Sequence, residues 1–370
     1  MKNSILFLLF VMAFGCQSYR DFTNQTYHYN ILGKDTLHEG RYVYGSVDNL
    51  PIRLLFDTGA NITALYGNKI GEGDSLFNNN RFKLDAVTGW QHTTSVKKII
   101  SDSISFQTFS SQLQPFILND GNFSQSQCVP AIQSQGLLGL DAFQGSKDKL
   151  HLNYNENVLE WFADVVPSAY QPVDAKFTRQ GIFIKIKIND VYDYFLFDSG
   201  ADVSLLVKDK FQTEPVAIFE TYFSTFQNKE VFLSSTAYHY FAETEFCSIK
   251  IPNIIITKTE NIDRNILGFL FIKSFNWLID FKNKRLYAKE INNTYLTNLR
   301  TVINETHPKV LEMEGKLKIA FKRQEDENYE LGQQIISVND ELIDETNICF
   351  WQNELNNVDN WERFKIRFAE

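Results

Sequence analysis

Several catalytic signatures are missing from this chain. There is no H-E-x-x-H, and the six histidines, at 28, 38, 92, 151, 239 and 307, are scattered, which excludes the helix-borne zinc site of a metalloprotease. No G-x-S-x-G occurs, so the serine-hydrolase elbow is absent. The glycine-bearing stretch 67–73 has no phosphate-loop Lys-Ser/Thr and reads as a plain loop. There are four cysteines and no C-x-x-C, which removes zinc-ribbon and dithiol redox chemistry. Of the three beyond the N-terminus, Cys128, Cys247 and Cys349, one disulfide is possible, but burial as an apolar side chain is the expectation for each. A net charge of −9 without a basic run excludes a nucleic-acid binder.

What remains is a globular composition, 44% hydrophobic and 22% charged, in a chain of 370 residues that can hold two or three domains. Phe (32) and Tyr (16) are abundant and Ala is sparse, which favours strands. The first residues carry Lys2 and then an apolar stretch, Ile5 to Phe14, too short to span a bilayer. It reads as a secretion signal. Its end, Ala13-Phe14-Gly15-Cys16, resembles the lipobox of bacterial lipoproteins, which implies lipid attachment at Cys16 and an envelope location.

The chain repeats itself. Residues 40–63 (GRYVYGSVDNLPIRLLFDTGANIT) align without a gap on residues 181–204 (GIFIKIKINDVYDYFLFDSGADVS). In both, a glycine precedes an Asp-(Thr/Ser)-Gly-Ala by 17 residues. Each segment is predicted as a hairpin whose second strand delivers the aspartate. Downstream, Gly136-Leu137-Leu138-Gly139 matches Asn265-Ile266-Leu267-Gly268, with a short helix predicted after each. A terminal hairpin then follows, 150–162 in one copy and 277–288 in the other, with the join near Pro167 to Pro172. Alternation predicts further strands over Ser101 to Phe109 and Gly181 to Ile188.

Two copies packed about a two-fold axis bring equivalent points together there. Asp57 and Asp198 are such points. Gly59 and Gly200 permit close approach of the two backbones, and Thr58 and Ser199 offer hydroxyls to the opposite loop. Two adjacent carboxyls share one proton and titrate as a unit. The ionised one can activate a water while the protonated one donates to a carbonyl, with no metal, cofactor or covalent intermediate required.

On these residues the sequence resembles the aspartic protease superfamily, and most of all its bacterial retropepsin-like members. The matching residues are Phe56-Asp57-Thr58-Gly59-Ala60, Phe197-Asp198-Ser199-Gly200-Ala201, Leu137-Leu138-Gly139 and Ile266-Leu267-Gly268. The resemblance covers residues from about 30 to 292. It implies an all-β, bilobal acid-protease fold with pseudo-two-fold symmetry, Asp57 and Asp198 as catalytic residues, and an extended peptide bound between lobes 30–167 and 168–292. It also implies flap hairpins, one over Asp85 to Thr94 with Thr88, Gly89 and Trp90 near its tip and one over Tyr222 to Lys229. Because both copies lie on one chain, the active unit is expected to be a monomer. Ala60 and Ala201 stand where pepsin-like enzymes carry a hydroxyl, so activity is expected to extend toward neutral pH.

The rest of the chain divides into a signal peptide (1–15), an N-terminal linker (16–29) and a C-terminal region (293–370). In the last, Lys316 to Lys322 is predicted as a strand, and Tyr329 to Glu341 resembles the G-D-x-I-x-x-V-N-G stretch of PDZ domains, with residues 361–368 as the closing strand. That resemblance implies a small α+β PDZ-like domain. The overall expectation is an envelope-anchored aspartic endopeptidase acting on peptides or proteins. The rival is an inactive protein that keeps the fold to bind them.

Overall fold

A computed structural model of the protein describes residues 27–29, 34–47, 50–66, 82–89, 92–99, 104–106, 109–111, 116–118, 128, 134–143, 149–162, 166–208, 214–226, 230–259, 262–291, 307–358 and 360–369. The leader and Cys16 lie outside these, as does Trp90. The protein is predominantly β, and three sheets of ten, six and thirteen strands carry the described residues.

Both repeats fold as paired strands. Tyr42–Val47 lies antiparallel to Leu50–Phe56, and Gly181–Ile188 to Val191–Asp198. Asn189 and Asp190 both take positive φ (44° and 69°), the backbone that lets a two-residue turn match the strand twist. The strand that ends at each aspartate then pairs in parallel with the apolar-apolar-Gly strand, in equivalent registers: Leu55 faces Leu137, and Leu196 faces Ile266. Beyond these, the order of strands is the same in the two copies. In the first it runs 42–47, 50–56, 136–138, 64–66, 116–118, 92–99, 82–89; in the second it runs 181–188, 191–198, 266–268, 205–207, 249–259, 230–246, 217–226.

The predicted short helices are present as a 3-10 turn, Leu140–Ala142, and a four-residue α-helix, Phe269–Ile272, here α1. The terminal hairpins supply four strands of the six-stranded sheet, with Lys34–Thr36 and Gln171–Val173 at its edges. Lys149–Asn153 from the first copy pairs antiparallel with Phe275–Asp280 from the second, so Leu152 faces Trp277. One hydrophobic core runs through both copies, with Phe56, Phe143, Phe197, Phe271 and Trp277 almost wholly buried.

Two expectations change. The strand predicted over 101–109 is split, with Ile104–Phe106 folded back on Phe109–Ser111. The closing strand predicted over 361–368 is only Ile366–Phe368. Its first half is instead a turn pinned by Trp361, whose indole N–H donates to Leu355 O at 2.9 Å while Phe364 N–H donates to Trp361 O.

The C-terminal segment 307–369 has its own core, Val310, Leu317, Ile319, Ile335, Val338, Ile348, Trp351 and Leu355 among it. Its helix α2 (Ile348–Asn356) packs on the strands Lys309–Met313 and Lys316–Arg323, and Gln334–Val338 adds Ile335 and Val338 to the same core. The segment does not stand apart. Lys316–Arg323 pairs antiparallel with Ala217–Phe226, the outermost strand of the second copy, and extends its sheet. Phe219 and Phe321 stack at 4.7 Å and Lys322 meets Glu220 at 3.5 Å across this joint. Cys128 and Cys349 form a disulfide, which ties the first copy to α2 over 221 residues of sequence. This corrects the expectation that each would be a lone apolar side chain. Only Cys247 is free among the described cysteines; it is half-buried, and burial pushes its thiol up to about 12.

Candidate active site

The two Asp-(Thr/Ser)-Gly loops meet where the copies join. Four hydrogen bonds lock them reciprocally. Thr58 N–H donates to Ser199 Oγ at 3.0 Å and Ser199 N–H to Thr58 Oγ1 at 2.9 Å. Thr58 Oγ1–H donates to Phe197 O and Ser199 Oγ–H to Phe56 O, each at 2.8 Å. Each hydroxyl thus accepts from one backbone group and donates to another, and both side chains are inaccessible to water. In so dry a place an unmatched hydroxyl would cost about 1–3 kcal/mol, so the reciprocity fixes the mutual position of the loops.

Beside this lock stand Asp57 and Asp198. Asp57 Oδ1 accepts from Gly59 N–H (2.8 Å) and Ala60 N–H (3.1 Å). Asp198 Oδ1 accepts from Gly200 N–H (2.9 Å) and Ala201 N–H (3.1 Å). The two carboxyls are hydrogen-bonded to each other. A methyl group on Gly59 would lie 2.4 Å from Asp198 Cγ, and one on Gly200 2.6 Å from Asp57 Cγ. Only glycine lets each loop stand against the opposite carboxyl.

Burial raises both carboxyls above the ordinary carboxylate range. Their mutual contact then separates them. It works against the rise at Asp57, whereas the charge and hydrogen bond of Asp57 push Asp198 further, well above its usual value. Both carboxyls are withdrawn from water and in contact, so the pair holds one proton between them and titrates as a unit.

Both loops are braced from behind, but differently. In the first copy Asp57 N–H donates to Leu138 O and Leu140 N–H to Ala60 O. The buried Asp141 then accepts from Thr63 N–H (2.8 Å), Thr63 Oγ1–H (2.7 Å) and Ala142 N–H (2.9 Å), and Gly139 N–H donates to Thr63 Oγ1. Burial pushes the Asp141 carboxyl up to about 6 against the pull of these donors. In the second copy Leu270 stands where Asp141 does. Behind that loop the hydrogen bonds among the described residues run between backbone groups: Gly268 N–H to Ser204 O, Phe269 N–H to Ala201 O and Leu270 N–H to Val203 O. The Ser204 hydroxyl, equivalent to Thr63, finds no partner among the described residues. Sequence reasoning missed Asp141, although its signal was readable as a charge in one copy's apolar-apolar-Gly stretch and none in the other's. It also missed the ion pair between Arg41 and Asp202 (3.1 Å), which joins the copies beside the site.

Of the remaining expected site residues, Thr88 and Gly89 lie on a hairpin, Phe82–Gly89 with His92–Ile99, in which Thr88 faces Thr93 and Gly89 faces His92. The second expected flap region, around Tyr222, lies on the hairpin that the C-terminal segment holds. In that segment α2 closes the outer edge of Lys309–Met313. Asn356 both accepts from Val310 N–H and donates to Val310 O, each at 2.8 Å, and Gln352 accepts from Glu312 N–H. A peptide captured by strand addition would need those same backbone groups. Among the described residues there is no cluster of three or more His, Cys, Asp or Glu side chains placed to hold a metal ion, and no helix is long and apolar enough to cross a membrane.

Compared with known proteins, the sequence matches no family model and no curated protein.

Proposed function

We propose that this chain is an aspartic endopeptidase, with Asp57 as general base and Asp198 as general acid. The single observation that carries the reading is the reciprocal Thr58–Ser199 lock with two hydrogen-bonded aspartates beside it. In the proposed reaction a water between the carboxyls gives a proton to Asp57 as it attacks the scissile carbonyl, and Asp198 protonates the carbonyl oxygen. Collapse of the tetrahedral species passes the proton on Asp57 to the leaving nitrogen. Asp198 recovers a proton from the diol, and the pair returns to its one-proton state. In this reading residues 30–167 and 168–292 are the lobes of an acid-protease fold, Thr88, Gly89 and Trp90 belong to a flap, and 293–370 is a PDZ-like domain that supports the second lobe. A lipid at Cys16 would hold the monomer in the bacterial envelope, and the Cys128–Cys349 disulfide suits an oxidising compartment.

The test is digestion of a peptide library by the full chain beside its Asp57→Asn and Asp198→Asn variants. Each substitution is expected to lower cleavage by about 10²–10⁴-fold. Cleavage that survives either one overturns the reading. Both carboxyls are raised, so activity is expected to reach toward neutral pH; a profile confined below pH 4 would contradict that.

A further inference from the structure

We propose that Asp141 is a positioning residue for Asp57, and that the two catalytic loops are therefore held by different devices. The inference rests on the reading of Asp57 and Asp198 as the catalytic pair. The second copy shows what a loop of this kind needs in order to form. With Leu270 at the equivalent place it makes its parallel strand pair, its three backbone bonds and α1. A buried carboxyl is thus dispensable for the local fold, and burying one is costly unless it has a task.

The network around Asp141 shows the task. Its two oxygens take three donors, two of them from Thr63. Thr63 Oγ1 in turn accepts from Gly139 N–H. The residues on either side of Gly139 hold the catalytic loop, because Leu138 O accepts from Asp57 N–H and Leu140 N–H donates to Ala60 O. Ala60 N–H then reaches Asp57 Oδ1. Three hydrogen bonds, Asp141 to Thr63, Thr63 to Gly139 and Leu138 to Asp57, therefore connect Asp141 with the base.

The experiment compares the full chain with Asp141→Asn, Asp141→Leu, Thr63→Val and Ser204→Ala, each checked for folded fraction. Asp141→Asn puts an amide donor against Thr63 N–H, and Asp141→Leu copies the second loop in case the amide does not fold. Either is expected to lower kcat about ten-fold with KM held within about two-fold, the mark of lost geometry and not of lost binding. Thr63→Val is expected to reproduce the loss, with no further fall when combined with Asp141→Asn, because the two act as one unit. Ser204→Ala is expected to change nothing. An unchanged kcat in both Asp141 variants, a loss explained by the unfolded fraction, or an equal loss in Ser204→Ala overturns the proposal. If Asp57→Asn abolishes cleavage while the Asp141 variants do not lower it, the catalytic reading stands and this inference falls. If the unsubstituted chain cleaves nothing, the catalytic reading fails, and carbon-13 titration of the Asp57 carboxyl decides this one: a curve displaced by Asp141→Asn supports it, and an identical curve overturns it.

Discussion

The first and second copies agree where the two Asp-(Thr/Ser)-Gly loops meet and diverge away from it. At that junction the correspondence is residue for residue: Thr58 with Ser199, Gly59 with Gly200, Asp57 with Asp198, with the Thr58 and Ser199 hydrogen bonds reciprocal. Behind it, Asp141 bonds Thr63 in one copy, while in the other Leu270 stands at the equivalent place and the Ser204 hydroxyl has no partner among the described residues. At the periphery the divergence is larger. The strand Phe82–Gly89 ends the ten-stranded sheet, whereas its counterpart Ala217–Phe226 is covered by Lys316–Arg323. The lesson is geometric. A group at the junction touches its own equivalent, so a change there has to suit both loops at once. A group away from it contacts something different in each copy and is free to diverge.

The comparison breaks first at the glycines. Gly59→Ala and Gly200→Ala each set a methyl group within 2.6 Å of the opposite carboxyl carbon. If the proposed activity holds, each is expected to cut kcat/KM on a quenched-fluorescent peptide by about 100-fold or more, because displacement of a reacting group by ~1 Å costs that much. A silent substitution at either would show that the two loops are not equivalent. Next is the covalent link. Cys349→Ser removes a tie spanning 221 residues and is expected to lower stability by roughly 3–5 kcal/mol in urea titration. Dithiothreitol should do the same to the unsubstituted chain and nothing more to the variant.

Acid tests the joint between the second copy and the C-terminal segment. His239 packs on Phe219 at 4.7 Å, and burial lowers it to about 4 from 6.5. The neutral ring is the folded form. Its contribution is therefore complete above pH 6.5 and is lost as pH falls from there toward 4, up to about 3 kcal/mol at the acid end. His239→Gln should flatten that limb in thermal melts taken between pH 7 and 4; a limb that persists unchanged would assign it elsewhere. The smallest effect is expected at Glu220→Gln, which removes the partner of the buried Lys322 ammonium. The half-exposed carboxylate limits the loss to about 1 kcal/mol in the same melts.

Much of the junction between the two loops was legible in the linear chain. The 17-residue spacing located both hairpins, and the apolar-apolar-Gly stretches located the strands that pair beside each aspartate. Period-2 patterning and turn residues act between neighbours in sequence, so such elements can be read locally. The edge pairing of Ala217–Phe226 with Lys316–Arg323 could not be read that way. It is made by backbone N–H and C=O groups, which every residue carries, and no side-chain pattern announces it. Cys128 and Cys349 were visible but not their bond, since with three candidate thiols the spacing does not choose a pair. Asp141 was visible as a charge in an apolar stretch, but its partner Thr63 lies 78 residues earlier.

The sequence by itself determined two copies of one strand–turn–strand design and the residue types at their equivalent points, because repetition and local periodicity are properties of the chain. Only the tertiary structure decided which of those points touch, how far burial raises the two carboxyls, and which outer strand the C-terminal segment covers. Those outcomes depend on burial and on contacts between residues a hundred or more positions apart, and desolvation exists only once the chain has closed around a group.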